Sequence, residues 1–356
     1  STLSSSSAAS DVYKRQVQAF FYIPLGRLSD RIGRKPVVLW GLSLFVAGAL
    51  ICAAKDDLLW IAIGRGIMGA GAVSAAISAW VADLTREQVR TRAMALVGGS
   101  IALSFALSLV IAAPIYRVMG LSGIFLVLAI LGVFAMFVTF YILPSNKVEA
   151  RVEQASLKEV FFIPELMRLN FGVLLLHATQ VAMFLVMPHL LVEAGMPLAD
   201  HWKIYLSVVL LSFLMMAPIL IFGERRHRLR LVFLIAIIFL VIAEILFSQA
   251  RSIIVIALSL LVYFIGFNLL EALLPSLVSR FSNQSKGTAL GIFNTTQSIG
   301  LFFGAAIGGY LIDALGDMAV FKISAALLLC WLIIAWFMGE LPAKVVDTKN
   351  AVEVIT

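Results

Sequence analysis

Charge is scarce in this chain of 356 residues, where Asp, Glu, Lys and Arg together make up 13% against about a quarter in soluble proteins. Cysteine is scarcer still. The two, Cys52 and Cys330, lie far apart inside apolar runs, so they form neither a disulfide framework nor a metal-ligand spacing and read as small buried hydrophobes. The sequence also lacks a catalytic triad pattern, a phosphate loop and a His/Cys metal cluster. Nothing in it calls for a cofactor, a metal, ATP or enzymatic chemistry. What is present in quantity is apolar surface: 62% of residues are hydrophobic and the mean hydropathy is +1.03. A soluble enzyme, a nucleic-acid binder or a disordered scaffold with that balance would expose large greasy patches, so the expected solvent is a lipid bilayer.

A helical span takes about 20 apolar residues. Ten such stretches follow one another: Val37–Ala53, Leu58–Ala82, Ala93–Tyr116, Leu121–Leu143, Phe171–Leu191, Ile204–Phe222, Leu231–Phe247, Ile253–Val278, Ala289–Ile312 and Ala319–Met338. Continuous runs without two-residue alternation exclude a β-barrel and predict an all-α polytopic bundle. Ahead of them, Val17–Gly26 spans about 15 Å as helix, half a bilayer. Residues 1–16 are Ser-rich, have no signal-peptide core and are expected to be a non-native or disordered tail.

Lys and Arg in alternate loops divide 19 to 5, the richer set including Arg27, Arg31, Arg34, Lys35, Arg86, Arg90, Arg92, Arg225, Arg226, Arg228, Arg230, Arg280 and Lys286. The richer set faces the cytoplasm. The net charge of +7 is thereby accounted for by insertion and anionic lipid, without nucleic acid.

The longest polar connection, 144–170, divides the chain into an N-terminal bundle (17–143) and a C-terminal one (171–340), with a cytoplasmic tail at 341–356. Leu157, Val160, Phe161 and Leu166 in that connection predict a short amphipathic helix. The two groups of spans also repeat weakly at an offset of 196: Ala93 falls on Ala289, Gly120 on Gly316, Arg90 on Lys286, and the stripe Ser104, Ser108, Ala112 on Gly300, Gly304, Gly308. Like-oriented repeats are typical of transporters whose site lies between the halves. The small residues predict close helix packing on both stripes.

Between the half-span and the first complete span stands Gly26-Arg27-Leu28-Ser29-Asp30-Arg31-Ile32-Gly33-Arg34-Lys35. Gly26, Asp30 and Arg34 follow at four-residue steps, one face of a helix, and Gly33 allows the chain to turn back. A merely basic cytoplasmic loop would explain Arg and Lys but not an acid between two glycines. The string resembles the loop signature of the major facilitator superfamily, over a resemblance that runs from Val17 to about Pro342. Further strings are similar to its drug:proton antiporter branch: Ile61-Ala-Ile-Gly-Arg65, Asp83-Leu-Thr-Arg86-Glu-Gln, His201-Trp-Lys and Asn268-Leu-Leu-Glu271-Ala-Leu-Leu-Pro275-Ser. The resemblance implies two pseudo-symmetric bundles of twelve spans in all, which leaves span one and half of span two missing here.

It also implies that Gly26, Asp30, Arg31, Gly33, Arg34, Lys35 and Asp83 form a cytoplasmic charge cluster that latches the bundles, with Asp30 facing the start of span eleven near Gly287. Ionisable or polar residues within spans are functional candidates by default. Arg65, matching a family arginine associated with proton coupling, joins His177, Gln180, Asn268 and Glu271 as candidates for proton coupling or the cavity wall. Met68 stands where the family often has Gln. The span-five stripe of the branch appears as Ser104, Ser108, Ala112 and Pro114, its glycines replaced.

These readings converge on a monomeric, proton-coupled exporter of small amphipathic compounds in the bacterial cytoplasmic membrane. Its partners are a small-molecule substrate, protons and lipid. Two alternatives stay open: a carrier of sugars or metabolites, and a non-transporting, truncated membrane protein.

Overall fold

The computed structural model describes residues 2–55, 57–144, 156–226, 228–282 and 285–338. Helices α1 (Thr2–Ile32), α2 (Arg34–Ala54), α3 (Leu58–Ala70), α4 (Ser74–Leu84) and α5 (Arg90–Tyr141) form the N-terminal half. A short α6 (Leu157–Phe161) leads into α7 (Pro164–Glu193), α8 (His201–Arg225), α9 (Leu229–Phe247), α10 (Ile253–Phe281), α11 (Lys286–Leu315) and α12 (Asp317–Trp336). The described residues contain no strand. Among them, nine helical segments are long and apolar enough to cross a membrane, as expected of a chain whose backbone must satisfy itself in lipid.

Glycine sets the breaks. Gly120 (φ 66°, ψ −162°) divides α5 into the two spans the hydropathy predicts, and Gly316 (φ 82°) ends α11. These two left-handed positions stand 196 residues apart, so the repeat read from sequence has a conformational cause: both sites need a residue without a Cβ.

In the first half α2 packs on α3 and α5, and α1 on α3. In the second, α7 packs on α11 and α12, α9 on α10 and α12, and α8 on α10. The halves lie side by side and meet along α1 with α11, α4 with α11, and α5 with α8 and α10. The largest buried cluster is in the C-terminal half, where Leu176, Met183, Met187, Ile237, Leu240, Leu269, Leu273 and Trp331 interlock. The N-terminal half has two smaller clusters, one around Val37, Val38 and Trp80, the other around Cys52, Met68 and Phe125. Leu96, Phe134, Leu214, Ile254 and Phe337 are exposed, and lipid is the solvent that suits them.

Several expectations are corrected. Residues 2–16, expected as a tail, continue α1 as helix, since the stretch has no Gly or Pro to interrupt it. The amphipathic helix of the connection stops at Phe161, because Pro164 takes the first position of α7 and Leu166 belongs to that helix. The C-terminal bundle therefore starts at Pro164 instead of residue 171. Ser156 and Glu159 close α6 with a reciprocal capping box. Residues 145–155 of the connection and the tail from 341 lie outside the described residues. Cys52 is buried but Cys330 is exposed, so only the first is a core residue.

The two small-residue stripes also part company. A Cβ on Gly300 would lie 2.5 Å from the Leu174 carbonyl oxygen and one on Gly308 would lie 3.1 Å from Ala182, while Gly304 faces the Ala178 backbone. The α11 stripe is thus a bed for α7. Ser104, Ser108, Ala112 and Pro114 on α5 are all exposed. Among the described residues this face is not covered in the way the α11 stripe is.

Candidate functional site

At the cytoplasmic ends, α1 stops at Ile32, Gly33 (φ 96°) turns the chain, and α2 starts at Arg34. This short corner brings Asp30 and Arg34 together at 2.6 Å. Arg34 also reaches Asp83 at the end of α4 (3.0 Å) and donates to Ser29 Oγ (2.7 Å). Lys286 at the start of α11 completes the chain of charges with a 2.8 Å contact to Asp83. Two acids and two bases alternate across four helices.

Asp30 does more than pair with Arg34. Its carboxylate accepts from Gly287 N–H (2.9 Å), Thr288 N–H (2.8 Å) and Thr288 Oγ (2.8 Å), and its side chain is 1% exposed. Those N–H groups belong to the first turn of α11, which has no intrahelical partners for them and carries the positive end of the helix dipole. The two helices come this close because both contact residues are glycine: a Cβ on Gly287 would strike the Gly26 carbonyl, Arg34 and Ser29.

Gly26, Asp30, Gly33, Arg34 and Asp83 therefore assemble at one place. Arg31 is exposed at the end of α1. Lys35 leaves the acids altogether and donates to the Phe140 (2.8 Å) and Leu143 (2.9 Å) carbonyls, capping the C-terminal end of α5. Arg230 does the same to the Trp336 carbonyl at the end of α12, and residues 140 and 336 are again 196 apart.

A cavity of about 390 Å³ lies between the halves. Its wall combines Gln18 and Tyr22 of α1, Ser74 and Ser78 of α4, Met94 and Ile101 of α5, Glu271 and Pro275 of α10, and Phe293, Asn294, Gln297 and Ser298 of α11. Glu271 is the one carboxyl among the described residues of that wall. Behind it stands His177, buried, with Nε2 3.3 Å from Glu271 Oε1 and 2.7 Å from Gln297 Nε2. His177 Nδ1 lies 3.1 Å from the Val173 carbonyl, which can only accept. Nδ1 therefore carries a proton, and in the neutral ring Nε2 is the acceptor for Gln297. A second proton on the ring would turn Nε2 into a donor toward Glu271.

Other candidates lie elsewhere. Asn268 is buried and donates to Ser212 Oγ (2.9 Å), tying α10 to α8. Gln180 and Arg65 are half-buried and do not line this cavity. Met68 is buried between α2 and α3. Gln297 is the partner that the sequence reading missed. It had the same residue type as Gln180 but no local motif to mark it, since its neighbours in space come from α7 and α10.

Two groups of helices meet around a mixed polar and apolar cavity, with charged contacts between them at their Lys/Arg-rich ends, an arrangement that suits a membrane transporter. The chain belongs to the Major Facilitator Superfamily, whose profile matches residues 16–305. It is 38% identical over 334 residues to the inner membrane transport protein YajR of Escherichia coli (strain K12), covering 91% of this chain and 73% of that protein. It is 25% identical over 309 residues to multidrug resistance protein 2 of Bacillus subtilis (strain 168), covering 81% and 75%. Among solved structures, the human organic anion transporter MFSD10 (TETRAN) superimposes with a TM-score of 0.78 at 20% identity, over 92% of this chain and 82% of that one. The protein is a membrane transporter and not an enzyme.

Proposed function

We propose that this protein is a proton-coupled secondary transporter of the bacterial cytoplasmic (inner) membrane that exports small amphipathic compounds by alternating access. The carrying observation is Glu271, a cavity-wall carboxyl backed by His177 at 3.3 Å. A cation entering the cavity and a proton on Glu271 compete for the same negative charge. Binding one releases the other, which is the requirement for exchange. The ring of His177, held by its Nδ1–H on Val173, offers Nε2 as the proton's second station. Met94, Ile101 and Phe293 give the apolar half of a substrate its contact, and Ser74, Ser78 and Asn294 give polar contacts.

The charge cluster sets the conformational bias. With Asp30 seated on α11, the cytoplasmic ends are closed and the substrate path opens outward. Freeing Asp30 would let the halves part on the inner side.

The test is efflux from proteoliposomes loaded with a fluorescent amphipathic cation. Efflux should run with an imposed proton gradient and fall to the leak rate when a protonophore collapses it. Transport unchanged by that collapse contradicts the coupling. A second reading, a carrier of polar metabolites, draws on the hydroxyls and amides of the same wall. Competition by unlabelled polyols, with none by lipophilic cations, would favour it.

A further inference from the structure

His177 meets two groups at one ring nitrogen. Its Nε2 lies 2.7 Å from Gln297 Nε2 and 3.3 Å from Glu271 Oε1, and the Phe267 ring stands edge to face with it at 5.7 Å. Gln297 belongs to the middle of α11, is half-buried and lines the cavity. One amide therefore touches the histidine on one side and the substrate space on the other.

An amide has two unlike ends. Its NH2 only donates and its oxygen only accepts. With Nδ1–H given to the Val173 carbonyl, the neutral ring offers a lone pair at Nε2, so Gln297 turns its NH2 to the ring and its oxygen to the cavity. A second proton on the ring removes that lone pair. Two N–H donors cannot face each other at 2.7 Å, and a half-turn about the last bond of Gln297 relieves the conflict. The oxygen then accepts from Nε2–H, and the NH2 faces the cavity. No backbone has to move, because the two ends of an amide are nearly equal in size.

The charged surroundings leave this exchange to few groups. Glu271 of α10 is the carboxyl against His177. On the same helix Tyr263 stacks on Phe267, and Arg280 lies at the cytoplasmic end. On the other helices packed against α7, Lys286 is held by Asp83 at the start of α11, Asp313 is near the end of α11, Asp317 pairs with His189, and Lys322 of α12 is exposed.

We propose that Gln297 is a selectivity residue that follows the proton on His177: it shows the cavity an acceptor oxygen when the ring is neutral and a donor NH2 when the ring carries two protons, so that amines with an N–H donor are bound in the first state and released in the second. The inference rests on the proton-exchange reading above and adds a substrate class to it. Negative charge on Glu271 favours any cation. The amide oxygen adds a hydrogen bond that only a protonated amine can make, while a quaternary ammonium of the same charge has no N–H and responds to charge alone. Arrival of the proton turns that bond into a clash of two donors, which sharpens release.

The experiment titrates binding to the full chain in liposomes with two fluorescent probes of equal charge: an amphipathic secondary amine that stays protonated throughout, and its permethylated quaternary analogue. Lowering the pH from about 8 to about 5 should cut the ratio of amine affinity to quaternary affinity about tenfold in the parent. Gln297→Met, which keeps the side-chain length and removes both amide ends, should hold the ratio flat. His177→Gln should do the same by removing the titrating ring, and it carries the comparison if Gln297→Met does not melt as a folded protein. A flat ratio in the parent, or the parent's slope in either folded variant, overturns the role of Gln297. With gradient-driven efflux intact, that result leaves the proton-exchange reading standing. Parent efflux that ignores a protonophore overturns both.

Discussion

Helices α5 and α11 occupy equivalent places in the two halves, begin with cations at equivalent positions and carry small residues at the same register. They nevertheless live in different surroundings. The glycines of α11 lie against the backbone of α7, while Ser104, Ser108, Ala112 and Pro114 of α5 are exposed. At their cytoplasmic starts the contrast is milder, since α11 receives Asp30 and α5, through Arg92, receives Glu224 of α8. The comparison teaches that repeated spacing specifies what a helix face permits. Which partner occupies that face is decided by the rest of the chain.

Five substitutions put this contrast to the test. Asp30→Ala has the largest expected effect. It removes the anion from the α11 start and leaves Arg34 with one acid fewer, weakening closure by about 3 kcal/mol. Distance distributions across the cytoplasmic ends should then shift toward the open state. Next, Gly300→Leu drives a side chain into the Leu174 backbone and should lower stability by about 1–3 kcal/mol, seen as a fall in melting temperature in detergent. Ser104→Leu at the equivalent α5 position should stay within about 0.5 kcal/mol, because it adds an apolar group to an exposed face. Equal losses at the two positions would mean that the α5 stripe is covered after all. Smallest, Lys35→Ala and Arg230→Ala each release helix-end carbonyls from a cationic cap and should each cost about 1 kcal/mol. A large loss for one and none for the other would show that the two caps are not equivalent.

Much of the fold is legible in the sequence because membrane helices announce themselves by uninterrupted apolar length. Gly120 and Gly316 show even where helices must break. The Asp30 corner is legible for a different reason: Gly26, Asp30, Gly33 and Arg34 are close in sequence, so spacing fixes their geometry. Glu224 of α8 meets Arg92 of α5, and Gln297 meets His177 across 120 residues of sequence. No local pattern encodes those meetings. Asn268 and Gln180 show the converse limit. Residues three positions apart on a helix, such as Asn268 and Glu271, share an approximate face, yet a modest rotation puts one on the cavity wall and turns the other toward α8. Helical phase is set by tertiary packing, which the spacing alone does not determine.

The central claim is that the carboxyl of Glu271, backed by His177, exchanges a proton for substrate within a cavity closed from inside. Its most direct measurement compares parent and Glu271→Gln proteoliposomes in two modes: efflux driven by a proton gradient, and exchange of labelled for unlabelled substrate without one. The account predicts that the variant loses gradient-driven efflux while its gradient-free exchange survives. Gradient-driven efflux at the parent's rate in Glu271→Gln would contradict it.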